Sequence, residues 1–277
     1  MRLRKFGSTS RDVAIVGQGS WRMDEDKRVS AITALKRGID AGMTHIDTAE
    51  MYGEAELVVG EALKGRRDQV FIVSKVLPTN ASRAGVIAAC ERSLSRIGTD
   101  RLDCYLLHWR GGHPLEATIA GFEDLVYAGK ILSWGVSNFD VDDLDEMLAI
   151  AGPNRIACNQ VLYHLSERAI EHAVMPWCEK HNVAVVGYSP FGSGSFPGGG
   201  KSAHKVLAEI AARHDATQRQ VALAFLARRS FVIPKASNPE HVVDNARAGD
   251  LRLTDEDCAR IDIAFPRGRK PGSLPMI

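Results

Sequence analysis

Residues 44–53 read THIDTAEMYG, and the fold follows from how this stretch is parsed. Ile46 sits between polar neighbours and is followed by Asp47, Thr48 and Ala49, the pattern of a short strand running out into a loop. Asp47 then stands at the strand's carboxyl end. Tyr52, beside Gly53, falls in the loop or at the mouth of the next helix. A carboxylate and a phenol so placed can share a proton-transfer site if a cation joins them. Taken alone, the pair is equally the pattern of a helix cap and a half-buried aromatic.

Working outward, the same unit recurs along the chain. Eight β-rich runs alternate with amphipathic segments, near Ala14–Val16, Thr44–Ile46, Val70–Ser74, Leu102–Leu107, Ile131–Val136, Ile156–Asn159, Ala184–Gly187 and Phe231–Ile233. The segments between them, such as VSAITALKRGIDAG, SRAGVIAACERSLSRIG and PLEATIAGFEDLVYAG, have helical spacing, and several close on a C-cap glycine. Eight strand–helix repeats predict an α/β fold of the (β/α)8 TIM-barrel type, one domain over residues 1–277. An extra helix over about 254–265 is announced by a Thr-x-x-Asp cap and is expected outside the barrel. The segment SRDVAIVG could instead pair with Arg2–Phe6 as a hairpin plugging the barrel floor. No Pro-, Ser- or Gly-rich linker divides the chain, and the stretch Phe191–Gly200 reads as a mobile active-site loop.

Composition narrows the function. Of 277 residues 45% are hydrophobic, and 35 Lys and Arg against 34 Asp and Glu leave a net charge of +1. Such a balance argues against nucleic acid or an anionic membrane as partner, because both require a basic excess. Five cysteines without a C-x-x-C pair read as reduced core thiols in a cytoplasmic protein. The apolar run near the N-terminus is too short for a secretory h-region, so a leader is not expected, and no run approaches roughly 18 apolar residues. Catalytic metal is not expected: Cys178-x-x-His181 lacks further ligands at usable spacing, and H-E-x-x-H is absent.

In a barrel of this kind chemistry sits where the strands end, since the βα loops converge there. The strand ends deliver Asp47, Lys75, His108 with Trp109, Ser137 with Asn138, Gln160, Tyr188 with Ser189, and Lys235. A strand-end lysine is usually a solvated one, but seven polar ends aimed at one mouth make a site.

Those residues carry a resemblance. GQGSW at 17–21, DTAEMYG at 47–53, VSK at 73–75, LLHW at 106–109, GVSN at 135–138, NQV at 159–161, YSP at 188–190 and IPK at 233–235 run through nearly the whole chain. In that order they resemble the aldo-keto reductases, bacterial reductases of small carbonyls such as methylglyoxal above all. The resemblance implies a catalytic set of Asp47, Tyr52, Lys75 and His108. The chemistry agrees: hydride addition to a carbonyl leaves charge on oxygen, which needs a proton donor or oxyanion stabilisation. A phenol of pKa about 10 is a weak acid, and an ammonium such as Lys75, oriented by Asp47, favours its ionised form. His108 would polarise the substrate oxygen as a neutral donor, with Trp21, Trp109 and Arg110 near the substrate.

The resemblance further implies nicotinamide bound without a Rossmann domain, and GQGSWR indeed lacks the third glycine of that fingerprint. Tyr188 would stack on the nicotinamide, Ser137, Asn138 and Gln160 would bind its carboxamide, and the loop Ser189, Phe191 and Ser193 would cover the pyrophosphate. Lys235, His241 and Asn245 would meet the adenosine end. Here the chain departs from the pattern, with Ala236 for a serine and His241 for an arginine that grip the 2′-phosphate. Lys235 and the amides of the following helix are expected to suffice. NADPH is therefore the expected cofactor, with NADH left open, a small carbonyl the expected substrate, a shallow open pocket the expected receptor, and a monomer the expected state. The rival readings are a nicotinamide-binding regulatory subunit of the channel β-subunit type and a phosphosugar lyase or isomerase on the same fold.

Overall fold

Strands buried on both faces belong to parallel sheets covered by helices, and this chain has several. The computed structural model describes residues 1–192, 196 and 198–277. Every residue of Phe71–Val76 and of Ile156–Leu162 is buried. The strands are β1 (Leu3–Lys5), β2 (Asp12–Ala14), β3 (Gln18–Gly19), β4 (His45–Asp47), β5 (Phe71–Val76), β6 (Cys104–Leu107), β7 (Trp134–Ser137), β8 (Ile156–Leu162), β9 (Ala184–Tyr188) and β10 (Phe231–Ile233). The last eight form one parallel sheet in sequence order.

The sheet curls until its edges meet. Val16 bridges Val232, Gly17 N donates to Val232 O at 2.8 Å, and Gly19 N donates to Pro234 O at 3.1 Å. Glycine is required along this seam by space. A Cβ on Gly17 would stand 2.6 Å from His45 O, and one on Gly19 would stand 2.8 Å from Ile233 O. The GQG of the sequence is thus partly a closing device of the barrel.

Around the strands lie α1 (Arg28–Asp40), α2 (Ala55–Ala62), α3 (Arg83–Ile97), α4 (Leu115–Tyr127), α5 (Val141–Ala151), α6 (Val174–Lys180), α7 (Lys201–Arg213), α8 (Gln218–Leu226), α9 (Pro239–Arg247) and α10 (Asp255–Ala264). In α3 the Ser82 side chain caps the start by accepting from Gly85 N, and Gly98, at φ 71°, ends it in the left-handed region. Its apolar stripe of Val86, Leu94 and Ile97 is buried, each side chain contributing about 1.5–3 kcal/mol. In α10 Thr254 and Asp257 form the reciprocal capping box that the sequence announced. Two helices, α7 and α8, stand between β9 and β10 where the simple repeat has one.

The first strand differs from the run read near Ala14–Val16. Asp12–Ala14 pairs antiparallel with Leu3–Lys5, Leu3 opposite Ala14, as the floor hairpin. The barrel's own first strand is the polar and glycine-bearing Gln18–Gly19. Below it Phe6 is fully buried, its ring 4.7 Å from Phe71, 5.1 Å from Phe231 and 5.7 Å from His45. That apolar layer closes the barrel floor and leaves the opposite mouth for polar groups.

Candidate active site

β4 ends on Asp47, and β5 lies beside it in parallel with Val73 opposite that carboxylate. One alternation further on, Lys75 again points inward. Its Nζ donates to Asp47 Oδ1 at 2.6 Å and to Thr48 O at 2.8 Å, and the lysine is wholly buried. From across the barrel, Gln160 Nε2 on β8 donates to Asp47 Oδ2 at 2.7 Å. Both carboxylate oxygens are therefore occupied by donors, and the ion pair is held from two sides.

Above the pair lies Tyr52, its ring centroid 5.0 Å from Lys75 Nζ. His108, following β6, meets that ring edge-on at 5.6 Å and packs on Trp109 at 4.9 Å. Burial opposes charge on Lys75, but Asp47 and Tyr52 more than offset it and raise its pKa, so it is an ammonium. Burial also holds the Tyr52 phenol above its ordinary value, outweighing the downward pull of Lys75. The lysine therefore moderates this phenol without ionising it, and at neutral pH the proton is in place. Burial first and Lys75 second push His108 down to about 3, which makes it a neutral imidazole. Its Nδ1 is buried without a hydrogen-bond partner.

These groups face a cavity of about 300 Å³ whose walls include Asp47, Tyr52, His108, Trp21, Trp109, Ser137, Asn138, Gln160, Tyr188, Ser189 and Lys235. Ser137 Oγ donates to Gln160 O at 2.8 Å. Asn138 Nδ2 donates to His108 O at 3.1 Å, and Tyr188 OH donates to Asn138 Oδ1 at 3.0 Å. Burial pushes the Tyr188 phenol up to about 12, so it remains a donor there. Asn138 and Ser189 hold φ values of 60° and 50°, backbone strain of the kind found at binding sites. At the far end Lys235 Nζ donates to Asp26 Oδ2 at 2.5 Å.

Not every residue singled out in the sequence reaches the cavity. Phe191 packs on Phe196 at 5.2 Å, with the Arg219 guanidinium 5.6 Å over its ring. His241 is exposed on α9, while Asn245 is buried in the same helix; neither lines the cavity. Ser193 lies outside the described residues. Arg110 turns to α5, pairing with Asp143 at 3.0 Å and Glu146 at 2.7 Å, and stands outside the wall. His181 of the Cys178-x-x-His181 pair stacks on Trp177 at 4.3 Å.

Other residues enter that the sequence did not mark. Met51, Met276 and Ile277, all largely exposed, add apolar lining to the cavity rim. Ser20 joins the lining, and its Oγ is buried without a partner. Ser20 follows directly on the GQG motif and could have been found there; the distant Met276 and Ile277 carried no signal. A larger hollow of about 660 Å³, bounded by Arg168, Glu171, Arg228 and Arg267, contains none of the strand-end residues.

The pattern described as "Aldo/keto reductase family" matches residues 15–265. The chain is 45% identical to methylglyoxal reductase YeaE of Escherichia coli strain K12, over 99% of both chains. It is 33% identical to a glyoxal reductase of Bacillus subtilis strain 168, over 88% of this chain and 87% of that one. In structure it is similar to an aldo/keto reductase of Klebsiella pneumoniae solved in complex with NADP and acetate. That likeness has a TM-score of 0.93 and 42% identity, and it covers 100% of this chain and 99% of the other.

Proposed function

Because the chain belongs to the aldo/keto reductase family, we propose that it reduces small carbonyl compounds, 2-oxoaldehydes such as methylglyoxal foremost, to alcohols with NADPH. The observation that carries the proposal is the buried Asp47–Lys75 pair set against a protonated Tyr52 and a neutral His108 at one cavity.

The residues fit a nicotinamide dinucleotide. A single cavity extends from Tyr52 and His108 past Tyr188 and Ser189 to the ammonium of Lys235, and Ser20 Oγ stands in its wall as an unspent buried polar atom. When bound, NADPH supplies the hydride. Ser137, Asn138 and Gln160 would hold its carboxamide, Tyr188 its ring and Lys235 its 2′-phosphate. Phe191, His241 and Asn245 would act from beyond the wall.

The protein's own part is the proton. Tyr52 delivers it to the substrate oxygen as the carbonyl carbon takes the hydride, giving the alcohol. Lys75 stabilises the phenolate left behind, while Asp47 and Gln160 keep that lysine charged and in place. His108, neutral, donates a hydrogen bond to the same oxygen as charge builds there. Trp21, Trp109, Met51, Met276 and Ile277 would wall the substrate side of the cavity. A hollow of about 300 Å³ is at the small end of ligand sites. The cofactor would take part of that space, and the remainder favours small carbonyls over bulky ones.

Steady-state assays with NADPH and NADH across a carbonyl panel test the reading. The expected order is a higher kcat/KM for methylglyoxal than for bulky ketosteroids; the reverse order refutes the size argument. Cofactor binding without turnover of any carbonyl would favour the regulatory-subunit reading instead.

A further inference from the structure

We propose that Asp26 competes with the adenosine 2′-phosphate for its seat and thereby sets how strongly this enzyme favours NADPH over NADH. The inference rests on the NADPH reading above and asks what opposes it.

Asp26 stands in the loop between β3 and α1, whereas Lys235 and Ser237 stand in the loop between β10 and α9, some 209 residues away. Across the barrel seam, Asp26 Oδ2 accepts from Lys235 Nζ and from Ser237 Oγ, each at 2.5 Å. Ser30 Oγ donates to Ser237 O at 2.7 Å and holds the two loops together beside them. The carboxylate is thus seated on an ammonium and a hydroxyl, the donors that a phosphate monoester also takes.

The neighbouring helix start provides little in exchange. Pro239 opens α9 without an N–H, and the Asn238 side chain already accepts from Glu240 N at 2.8 Å. A 2′-phosphate must therefore take Lys235 and Ser237 from Asp26 and then sit beside a displaced carboxylate. NADH makes no such demand, and its 2′-hydroxyl can donate to a carboxylate. Both side chains of the pair are 32% exposed, so an arriving ligand can reach them. Lys235 and Ser237 hold Asp26 below the usual carboxylate range against the opposing effect of burial, which keeps it ionised at neutral pH.

Titrating the full chain with NADPH and with NADH, followed by quenching of tryptophan fluorescence, gives both dissociation constants. In Asp26→Asn, and in Asp26→Ala as a second variant, NADPH should bind about three- to tenfold more tightly, the scale of an exposed ion pair and a relieved repulsion. NADH should bind equally or less tightly, so the ratio rises. An unchanged ratio, or a joint weakening of both nucleotides, would overturn the proposal by showing that Asp26 only orders the loop or straps the bound cofactor. Wild-type protein that binds neither nucleotide would end the cofactor reading itself, and this proposal with it.

Discussion

Replacing Lys75 with methionine would strip Asp47 of its counter-ion while keeping most of the side chain's length. The two groups are 0% and 2% exposed and stand 2.6 Å apart. At an effective dielectric constant of about 20 that separation corresponds to an attraction of about 6 kcal/mol. Part of it only repays the burial of the ammonium, so the net loss expected is about 3–5 kcal/mol. Gln160 would remain as a donor to the carboxylate, which makes the lower half of that range the better expectation. The penalty also has a pH signature. A buried carboxylate without its cation binds a proton more readily than in the unfolded chain, so the variant should regain stability as pH falls and lose it as pH rises. In the wild type the raised pKa of Lys75 places loss of the pair on the alkaline side, beginning above the ordinary 10.5. Denaturant unfolding at pH 5 and pH 8, for Lys75→Met and for Lys75→Met with Asp47→Asn, measures this directly. The double variant should recover most of the stability but none of the activity. A loss under about 1 kcal/mol, or one that neither acid nor Asp47→Asn relieves, would refute the account of a charge stranded by its missing partner.

Three further outcomes are expected. Tyr52→Phe should lower kcat by about 10²–10⁴-fold with cofactor affinity nearly unchanged, as for a general acid, and stopped-flow turnover beside a binding titration would expose a failure of either half. His45, fully buried among Phe6, Phe71 and Phe231 and pushed down to about 3 by burial and Lys75, stays neutral in the folded state while its unfolded form protonates below about 6.5. Its contribution is therefore present above 6.5 and lost at about 1.4 kcal/mol per unit as pH falls toward 3, so His45→Leu should flatten the acid limb of a melting-temperature profile. Lys235→Ala should weaken NADPH much more than NADH in equilibrium titrations; equal weakening would move that lysine's role to the pyrophosphate.

Legibility in the sequence followed the range of the interactions concerned. Asp47, Lys75 and Gln160 could be placed because each closes or nearly closes a β-rich run, and the fold brings such ends together whatever the loops do. The run near Ala14–Val16 suits a floor hairpin as well as a barrel strand, and of these two readings the hairpin with Leu3–Lys5 is the one that forms. The real β3, Gln18–Gly19, has no strand propensity and exists because its neighbours hold it. Arg110 and Lys235 carried charge that could have served a ligand. Their engagement by Asp143, Glu146 and Asp26 is tertiary and invisible along the chain. The state of Tyr52 could not be read either, since it depends on a contest between burial and an ammonium that only coordinates resolve.

The left-handed backbone at Asn138 and Ser189 bears on how this protein could be made sturdier. Each non-glycine residue held there costs about 1–3 kcal/mol, and glycine would relieve the strain at either position. Such changes would attract any screen for heat resistance. At Asn138, however, glycine would also delete the amide that ties His108, Ser137 and Tyr188 to one another. A hardier scaffold with a slack mouth would result, so thermal selection and selection for turnover should pull this position in opposite directions.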